Sequence, residues 1–236
     1  MKVKCSVSKI ELINKNIYKV YIKPYVPIDF KAGQYIYINL SGNKRQPFSI
    51  ASCPTDNSVI ELHVGSSNEN SSLDVMEYFG DALIKNSTIV IDAPHGEAWL
   101  REGSNKPILL IAGGTGLSYI SSILRNCLNR GFTQPIYVYW GVKNIDFLYA
   151  DEELQLLCSH HSNLHYIPVV LEDSKYTWLG KKGTVIDAVM DDFTVLTLFD
   201  IYVCGPNLMT KAAKDKLVAK KSAKSEQMFS DAFAYM

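Results

Sequence analysis

The hydrophobic period of this chain changes near residue 102, and that change limits the fold more than any other feature. Before it, apolar residues alternate with polar ones. Val3, Cys5 and Val7 interleave with Lys4, Ser6 and Ser8, and the pattern returns over residues 17–22, 36–40, 59–64 and 88–91. Successive side chains of a strand point to opposite faces, so a period of two predicts strands with one buried face. Turn residues at Ala32-Gly33, Ser41-Gly42-Asn43 and Thr55-Asp56-Asn57 separate them. Short strands at this spacing predict an antiparallel β-barrel. One helix over about residues 72–79 interrupts it, because Leu73, Met76 and Phe79 recur at helical spacing.

After residue 102 the apolar runs become continuous and helices separate them. Pro107-Ile-Leu-Leu-Ile-Ala112, Pro135-Ile-Tyr-Val-Tyr-Trp140, Tyr166-Ile-Pro-Val-Val170 and Asp200-Ile-Tyr-Val-Cys204 read as strands covered on both faces. Between them, Ile120, Ile123, Leu124, Cys127 and Leu128 form one helical face that Gly131 terminates, and further helices are expected over 149–159, 185–190 and 206–224. Strands alternating with helices predict an open parallel sheet in an α/β domain. The polar stretch Arg101-Glu-Gly-Ser-Asn-Lys106 divides the two regimes.

Composition narrows the function classes. The 236 residues carry 24 Lys+Arg against 24 Asp+Glu, so the basic excess of a nucleic-acid binder is missing. With 47% hydrophobic and 20% charged residues the chain is neither disordered nor low in complexity, and no apolar run spans a bilayer. The start, MKVKCSVSKIELINK, alternates too strictly for a signal peptide. Five scattered cysteines with no CxxC pair predict reduced thiols in the cytoplasm and no iron–sulfur nest. The five histidines follow no metal-ligand spacing, so no metal is expected.

Three segments could carry chemistry. Ile111-Ala-Gly-Gly-Thr-Gly-Leu117 lies between a buried strand and an amphipathic helix, where glycines let a phosphate approach backbone amides at the helix start. It reads as a nucleotide-phosphate site or as a tight strand–helix turn. Cys204-Gly-Pro206 ends a second strand on the same edge, and by itself reads as a buried thiol beside a turn. Arg45-Gln-Pro-Phe-Ser-Ile-Ala-Ser52 places a proline, an aromatic ring and two hydroxyls where an apolar strand should run, which would serve a flat, partly polar ring or be a proline-kinked edge strand. Lys211, Lys214, Lys216, Lys220, Lys221 and Lys224 read as a solvated helix face, while the apolar tail from Phe229 to Tyr235 should pack, by default on its own sheet.

These segments, in this order, resemble the ferredoxin-NADP⁺ reductase superfamily. The likeness is greatest to bacterial NAD(P)H-flavin oxidoreductases, in particular those associated with bioluminescence. It covers essentially the whole chain and rests on Phe30-Lys-Ala-Gly-Gln-Tyr35, Pro47-Phe-Ser-Ile-Ala-Ser52, Glu61-Leu-His-Val-Gly65, Asp92-Ala-Pro-His-Gly-Glu-Ala-Trp-Leu-Arg101, Leu110-Ile-Ala-Gly-Gly-Thr-Gly116, Tyr139-Trp-Gly141, Cys204-Gly-Pro206 and Ser230-Asp-Ala-Phe-Ala-Tyr235. The resemblance implies a flavin-binding barrel over 1–102 and an NAD(P)-binding α/β domain over 103–236, with hydride passing from nicotinamide C4 to flavin N5. It implies that Pro47, Phe48 and Ser49 line the flavin ring, with the Ser49 hydroxyl near N5, and that His63, Val64 and Gly65 flank ring and ribityl chain. Gly113, Gly114, Thr115, Gly116 and Leu117 would hold NADH or NADPH, with Thr115 near the nicotinamide. Cys204, Gly205 and Pro206 would face the nicotinamide, Lys143 would lie near the adenosine end, and Phe233 and Tyr235 would close one side of the flavin pocket. The catalytic candidates are Ser49, Thr115 and Cys204.

One departure stands out. Relatives usually carry arginine directly before the Pro-Phe/Tyr-Ser strip, where it meets a flavin phosphate, but here that place is Gln46 and Arg45 lies one residue earlier. A one-residue offset on a strand points a side chain to the other face unless a bulge restores it. Flavin, as FMN or riboflavin, is therefore expected as an exchangeable substrate, and the resemblance to bioluminescence-associated reductases implies luciferase as a recipient of the reduced form. The alternatives are an electron-transfer component that retains its flavin and a non-catalytic flavin-binding module.

Overall fold

The structure is a computed structural model that describes residues 1–14, 17–40, 44–65, 70–172 and 178–235, without the side chains of 70–72 and 235. The turn expected at 41–43 lies outside the described residues. The chain separates into two compact units, Met1–Leu100 with Ser121–Gly131, and Arg101–Ile120 with Phe132–Met236.

In the first unit, β1 (Lys2–Asn14), β2 (Ile17–Pro24), β3 (Tyr35–Asn39), β4 (Arg45–Ser49), β5 (Ile60–Gly65) and β6 (Thr88–His95) form one sheet in the order β4-β3-β6-β1-β2-β5. Every neighbouring pair is antiparallel. The alternating positions supply its core: Cys5, Val20, Ile22, Ile36, Ile38, Leu62 and Ile91 are all fully buried. Each such aliphatic side chain contributes about 1.5–3 kcal/mol relative to exposure. The sheet curls until its two edges meet, where Ala51 N–H donates to Glu61 O at 2.8 Å. That closure gives the expected barrel, and helix α1 (Asn70–Ile84) adds Val75 and Phe79 to its core. The helix is longer than the predicted 72–79, because it runs on through Gly80-Asp81-Ala82-Leu83-Ile84, where Ala82 joins the core.

In the second unit, β7 (Ile108–Gly113), β8 (Ile136–Val142), β9 (Leu164–Val170), β10 (Lys181–Lys182), β11 (Asp200–Cys204) and β12 (Met228–Phe229) form a parallel sheet in the order β10-β9-β8-β7-β11-β12. Helix α2 (Leu117–Asn129) follows β7, and residues 121–131 cluster with the first unit. Helices α3 (Asp151–His160), α4 (Val185–Asp192) and α5 (Asn207–Lys221) make the crossovers. Leu109, Ile111, Tyr139, Ile201 and Val203 share a core with Val185, Ile186 and Val189 of α4 and Ala213 and Leu217 of α5. Helix α5 stops at Lys221, earlier than expected, because Ser222 turns left-handed at φ 54°. The two-residue strands β10 and β12 are too short to register as sequence patterns. Among the described residues no helix is long and apolar enough to cross a membrane.

The strand order fixes where a ligand can sit in this sheet. From β7 the chain steps to β8, β9 and β10, then returns to β11 on the other side of β7. Connections leaving neighbouring strands in opposite directions open a crevice at their carboxyl ends. The ends of β7 and β11 are the glycine-rich segment and Cys204-Gly-Pro206.

Candidate functional site

In the first unit the expected flavin strip is the edge strand β4. Its register against β3 runs unbroken from Tyr35↔Ser49 through Ile36↔Phe48, Tyr37↔Pro47 and Ile38↔Gln46 to Asn39↔Arg45. Directly paired residues share a face. Phe48 and Gln46 therefore share the side of Ile36 and Ile38, and Phe48 packs partly buried against the core. Pro47, Ser49 and Arg45 take the side of Tyr37, Tyr35 and Asn39. No bulge re-aims Arg45. Its guanidinium lies 3.5 Å from the Tyr37 ring centre, 2.6 Å from Asp92 Oδ2 and 3.4 Å from His95 Nε2. The arginine is thus committed to an aromatic and acidic cluster on the face opposite Gln46.

The second strip, His63, Val64 and Gly65, ends the other edge strand, β5. The His63 side chain is 1% exposed and Val64 is fully enclosed, so only their backbone and Gly65 reach the strand edge. His63 Nε2 lies 2.8 Å from Glu61 Oε1, with the Arg125 NH1 group 2.8 Å from Glu61 Oε2 and Lys19 Nζ 3.6 Å from Oε1. Burial alone would raise the Glu61 carboxyl, but the His63 hydrogen bond and the Arg125 charge outweigh it and hold it at about 2. Burial pushes the His63 ring below its usual range, so at neutral pH it is an uncharged donor to an ionised Glu61.

In the second unit the glycine-rich segment leaves β7 as a single 3-10 turn, Gly114–Gly116, and passes directly into α2. Gly114 holds φ +54°, a conformation costly for other residues. Its carbonyl accepts from Trp140 Nε1 at 2.9 Å, and the Thr115 carbonyl accepts from Ser118 Oγ at 2.8 Å. Gly116 is required by close approach: a Cβ there would lie 2.2 Å from Cys204 O and 2.6 Å from Cys204 C. The glycine turn and Cys204-Gly-Pro206 are therefore in backbone contact, consistent with the β7–β11 register Ala112↔Cys204. Thr115 and Cys204 are half-buried and Gly114 is exposed, whereas Leu117 is fully buried among core residues.

The remaining candidates belong to the same unit. Lys143 follows β8, exposed, with Nζ 4.0 Å from Glu172 Oε2. Phe233 packs against the core shared by α4 and α5, with Lys214 Nζ 4.9 Å from its ring centre. Tyr235 ends the final 3-10 segment, and its side chain lies outside the description.

Comparison with known proteins decides what this geometry belongs to. Residues 2–98 match the family model of an FAD-binding domain and residues 110–215 that of an oxidoreductase NAD-binding domain. A probable flavin reductase of Aliivibrio fischeri is 63% identical over 98% of both chains. An NAD(P)H-flavin reductase of Vibrio harveyi is 43% identical over the full length of both. The chain belongs to the flavin reductase family of the ferredoxin-NADP⁺ reductase superfamily. It is an oxidoreductase. Among solved structures an Amycolatopsis cytochrome P450 reductase matches with TM-score 0.88 at 22% identity, over 98% of this chain and 69% of that one, which shows the fold alone.

The residues present suit the two ligands that a flavin reductase handles. For a nucleotide, Gly114 leaves its part of the turn at the start of α2 open, while the Met209 and Pro206 side chains pack over Gly113. For a flavin, Gln46 Oε1, at the head of the β4 strip, is buried without a hydrogen-bond partner in the described structure. A buried orphan acceptor is rare and is relieved by a donor from a ligand. Sequence reasoning overlooked Glu61 and Arg125 as a pair. The available signal was a carboxylate among the apolar residues of a strand and an arginine on the helix that carries the apolar face of Ile120, Ile123, Leu124 and Cys127.

Proposed function

We propose that this chain catalyses NAD(P)H-dependent reduction of free flavin, FMN or riboflavin, taken up and released as a substrate. The observation that carries the exchangeable character is the unbroken β3–β4 register. It leaves Gln46 where relatives present an arginine and ties Arg45 to Asp92 on the other face. No guanidinium of this strip is then available to a flavin phosphate, and binding falls to weaker contacts.

When both ligands are bound, the nicotinamide supplies a hydride at C4 and the flavin accepts it at N5, so the ring systems carry the hard chemistry. The chain's part is to orient and to exclude water. In this reading the Ser49 hydroxyl, on the outer face of β4, hydrogen-bonds at N5, and Pro47 and Phe48 pack the ring edge. Backbone groups of His63, Val64 and Gly65 flank it from β5. Gly113 through Gly116 receive the dinucleotide phosphates, with Leu117 behind them in the core, while Thr115, Cys204, Gly205 and Pro206 border the nicotinamide. Lys143 meets the adenosine end. Resemblance to bioluminescence-associated reductases supports luciferase as a recipient of the reduced flavin.

Ser49→Ala tests the assignment. Turnover should fall by about tenfold or more while the KM for NAD(P)H stays near the parent value, because the hydroxyl acts on the flavin. Parental turnover in that variant removes Ser49 from the site.

A further inference from the structure

Two charged side chains that this reading leaves unused sit at the seam where the sheet of the first unit closes on itself. Strand direction alternates across β4-β3-β6-β1-β2-β5, so the two edges run antiparallel where they meet. Ala51 N–H donates to Glu61 O at 2.8 Å, and Glu61 N–H donates to Ser52 Oγ at 3.2 Å. From that junction residues 49 to 47 run back along edge strand β4, and residues 63 to 65 run out along edge strand β5. The two flavin-lining strips are thus the two lips of one seam, and whatever fixes the seam at Ala51 and Glu61 sets their separation.

Arg125 spans this junction. Its NH1 group donates to Ala51 O at 3.1 Å and to Glu61 Oε2 at 2.8 Å, bridging one lip to the other. Ser122, one turn earlier on α2, donates from Oγ to Ser52 O at 2.8 Å. Both helix residues belong to the first unit. On the far side of the carboxylate, His63 and Lys19 hold Oε1.

Apolar residues would close a barrel with less desolvation than a carboxylate 11% exposed beside a guanidinium 25% exposed. What an ion pair adds is direction: bonds to fixed carbonyl and carboxylate oxygens set a spacing that side chains in van der Waals contact leave looser. We propose that Arg125, acting through Glu61, is a positioning residue for flavin, holding residues 47–49 and 63–65 at the separation a flat ring requires. The inference rests on the flavin reading above and extends it to residues that touch no ligand.

The test uses the full chain with Arg125→Leu, Arg125→Lys and Glu61→Gln. Flavin affinity is read from quenching of FMN and riboflavin fluorescence, alongside KM for flavin, KM for NAD(P)H and Tm. Arg125→Leu should raise the Kd and KM of both flavins about tenfold and leave the KM for NAD(P)H within about twofold. Arg125→Lys keeps the charge but not the rigid fork, so it should recover part of that loss. A lowered Tm with unchanged flavin Kd and KM would overturn the proposal, as would an equal rise in both KM values. If Arg125→Leu does not fold, the lysine and glutamine variants carry the same readout, and parental flavin affinity in both overturns it. A wild-type chain that neither quenches flavin nor oxidises NAD(P)H with it overturns the flavin reading and this proposal together. Wild-type activity with indifferent variants overturns the positioning role alone.

Discussion

At the carboxyl ends of β7 and β11 the candidate site is made of backbone, with a 3-10 turn of glycines pressed against the carbonyl of Cys204. At the seam of the barrel the candidate site is made of side chains, with Glu61 held by Arg125, His63 and Lys19. The first arrangement is rigid because nothing larger than hydrogen fits at Gly116. The second is rigid because buried charges are badly placed anywhere else. The two should therefore fail in different ways: the glycine turn by steric insertion regardless of pH, the seam by changes of charge.

The largest effect is expected from Gly116→Ala. Its methyl would lie 2.2 Å from a backbone oxygen, so strands must part, and a loss of about 3 kcal/mol or more is expected in denaturant unfolding. Gly103→Ala is the control, having no atom within 4 Å, and should change stability by no more than about 0.5 kcal/mol. Equal effects at the two glycines would remove the steric account.

The seam should announce itself through acid. Burial holds the His63 ring below its ordinary 6.5, and the Glu61 carboxyl is held at about 2 against an ordinary 4.5. In both cases the unfolded chain binds protons more readily, so the stability they contribute is complete above about pH 6.5. It is lost in two stages as pH falls, first below about 6.5 with His63 and then from about 4.5 towards about 2 with Glu61. Tm measured from pH 8 to 2 should decline, and Glu61→Gln should remove the lower stage. A flat profile would contradict the seam's charged character.

A smaller change separates the flavins. Gln46→Arg should lower the KM for FMN by about three- to tenfold and leave riboflavin unchanged, since only FMN carries a phosphate for the new guanidinium. A parallel shift in both would place Gln46 against the ring instead. Least of all is expected from Lys143→Ala. With the lysine and Glu172 66% and 60% exposed and 4.0 Å apart, stability should change by less than about 0.5 kcal/mol, leaving nucleotide KM as the only readout that can move.

The same contrast explains what was legible in the sequence. Period two and continuous apolar runs are local signals, so Ile36 and Ile38 inside the barrel and Leu109 and Ile111 inside the parallel sheet were readable directly. The glycine turn was readable because its whole requirement lies within Gly113-Gly-Thr-Gly116, although the reason for Gly116 is a carbonyl 88 residues away at Cys204. Arg45 was ambiguous, because a bulge would have restored it, and only the β3 register excludes one. Glu61 and Arg125 are 64 residues apart, on a strand and a helix, and no local pattern pairs them. Nor does sequence show that the His63 ring is buried beside Glu61, on the face of β5 opposite the core residues Leu62 and Val64.

The central claim is that flavin is exchanged as a substrate, and the most direct measurement is retention. The chain is saturated with FMN and passed through gel filtration, and the protein fraction is read for visible flavin absorbance and for NAD(P)H oxidation. The account predicts a colourless protein whose oxidation of NADH or NADPH depends entirely on flavin added back. Stoichiometric flavin in the protein fraction, with oxidation indifferent to added flavin, would contradict it and favour a reductase that keeps its flavin for a protein partner.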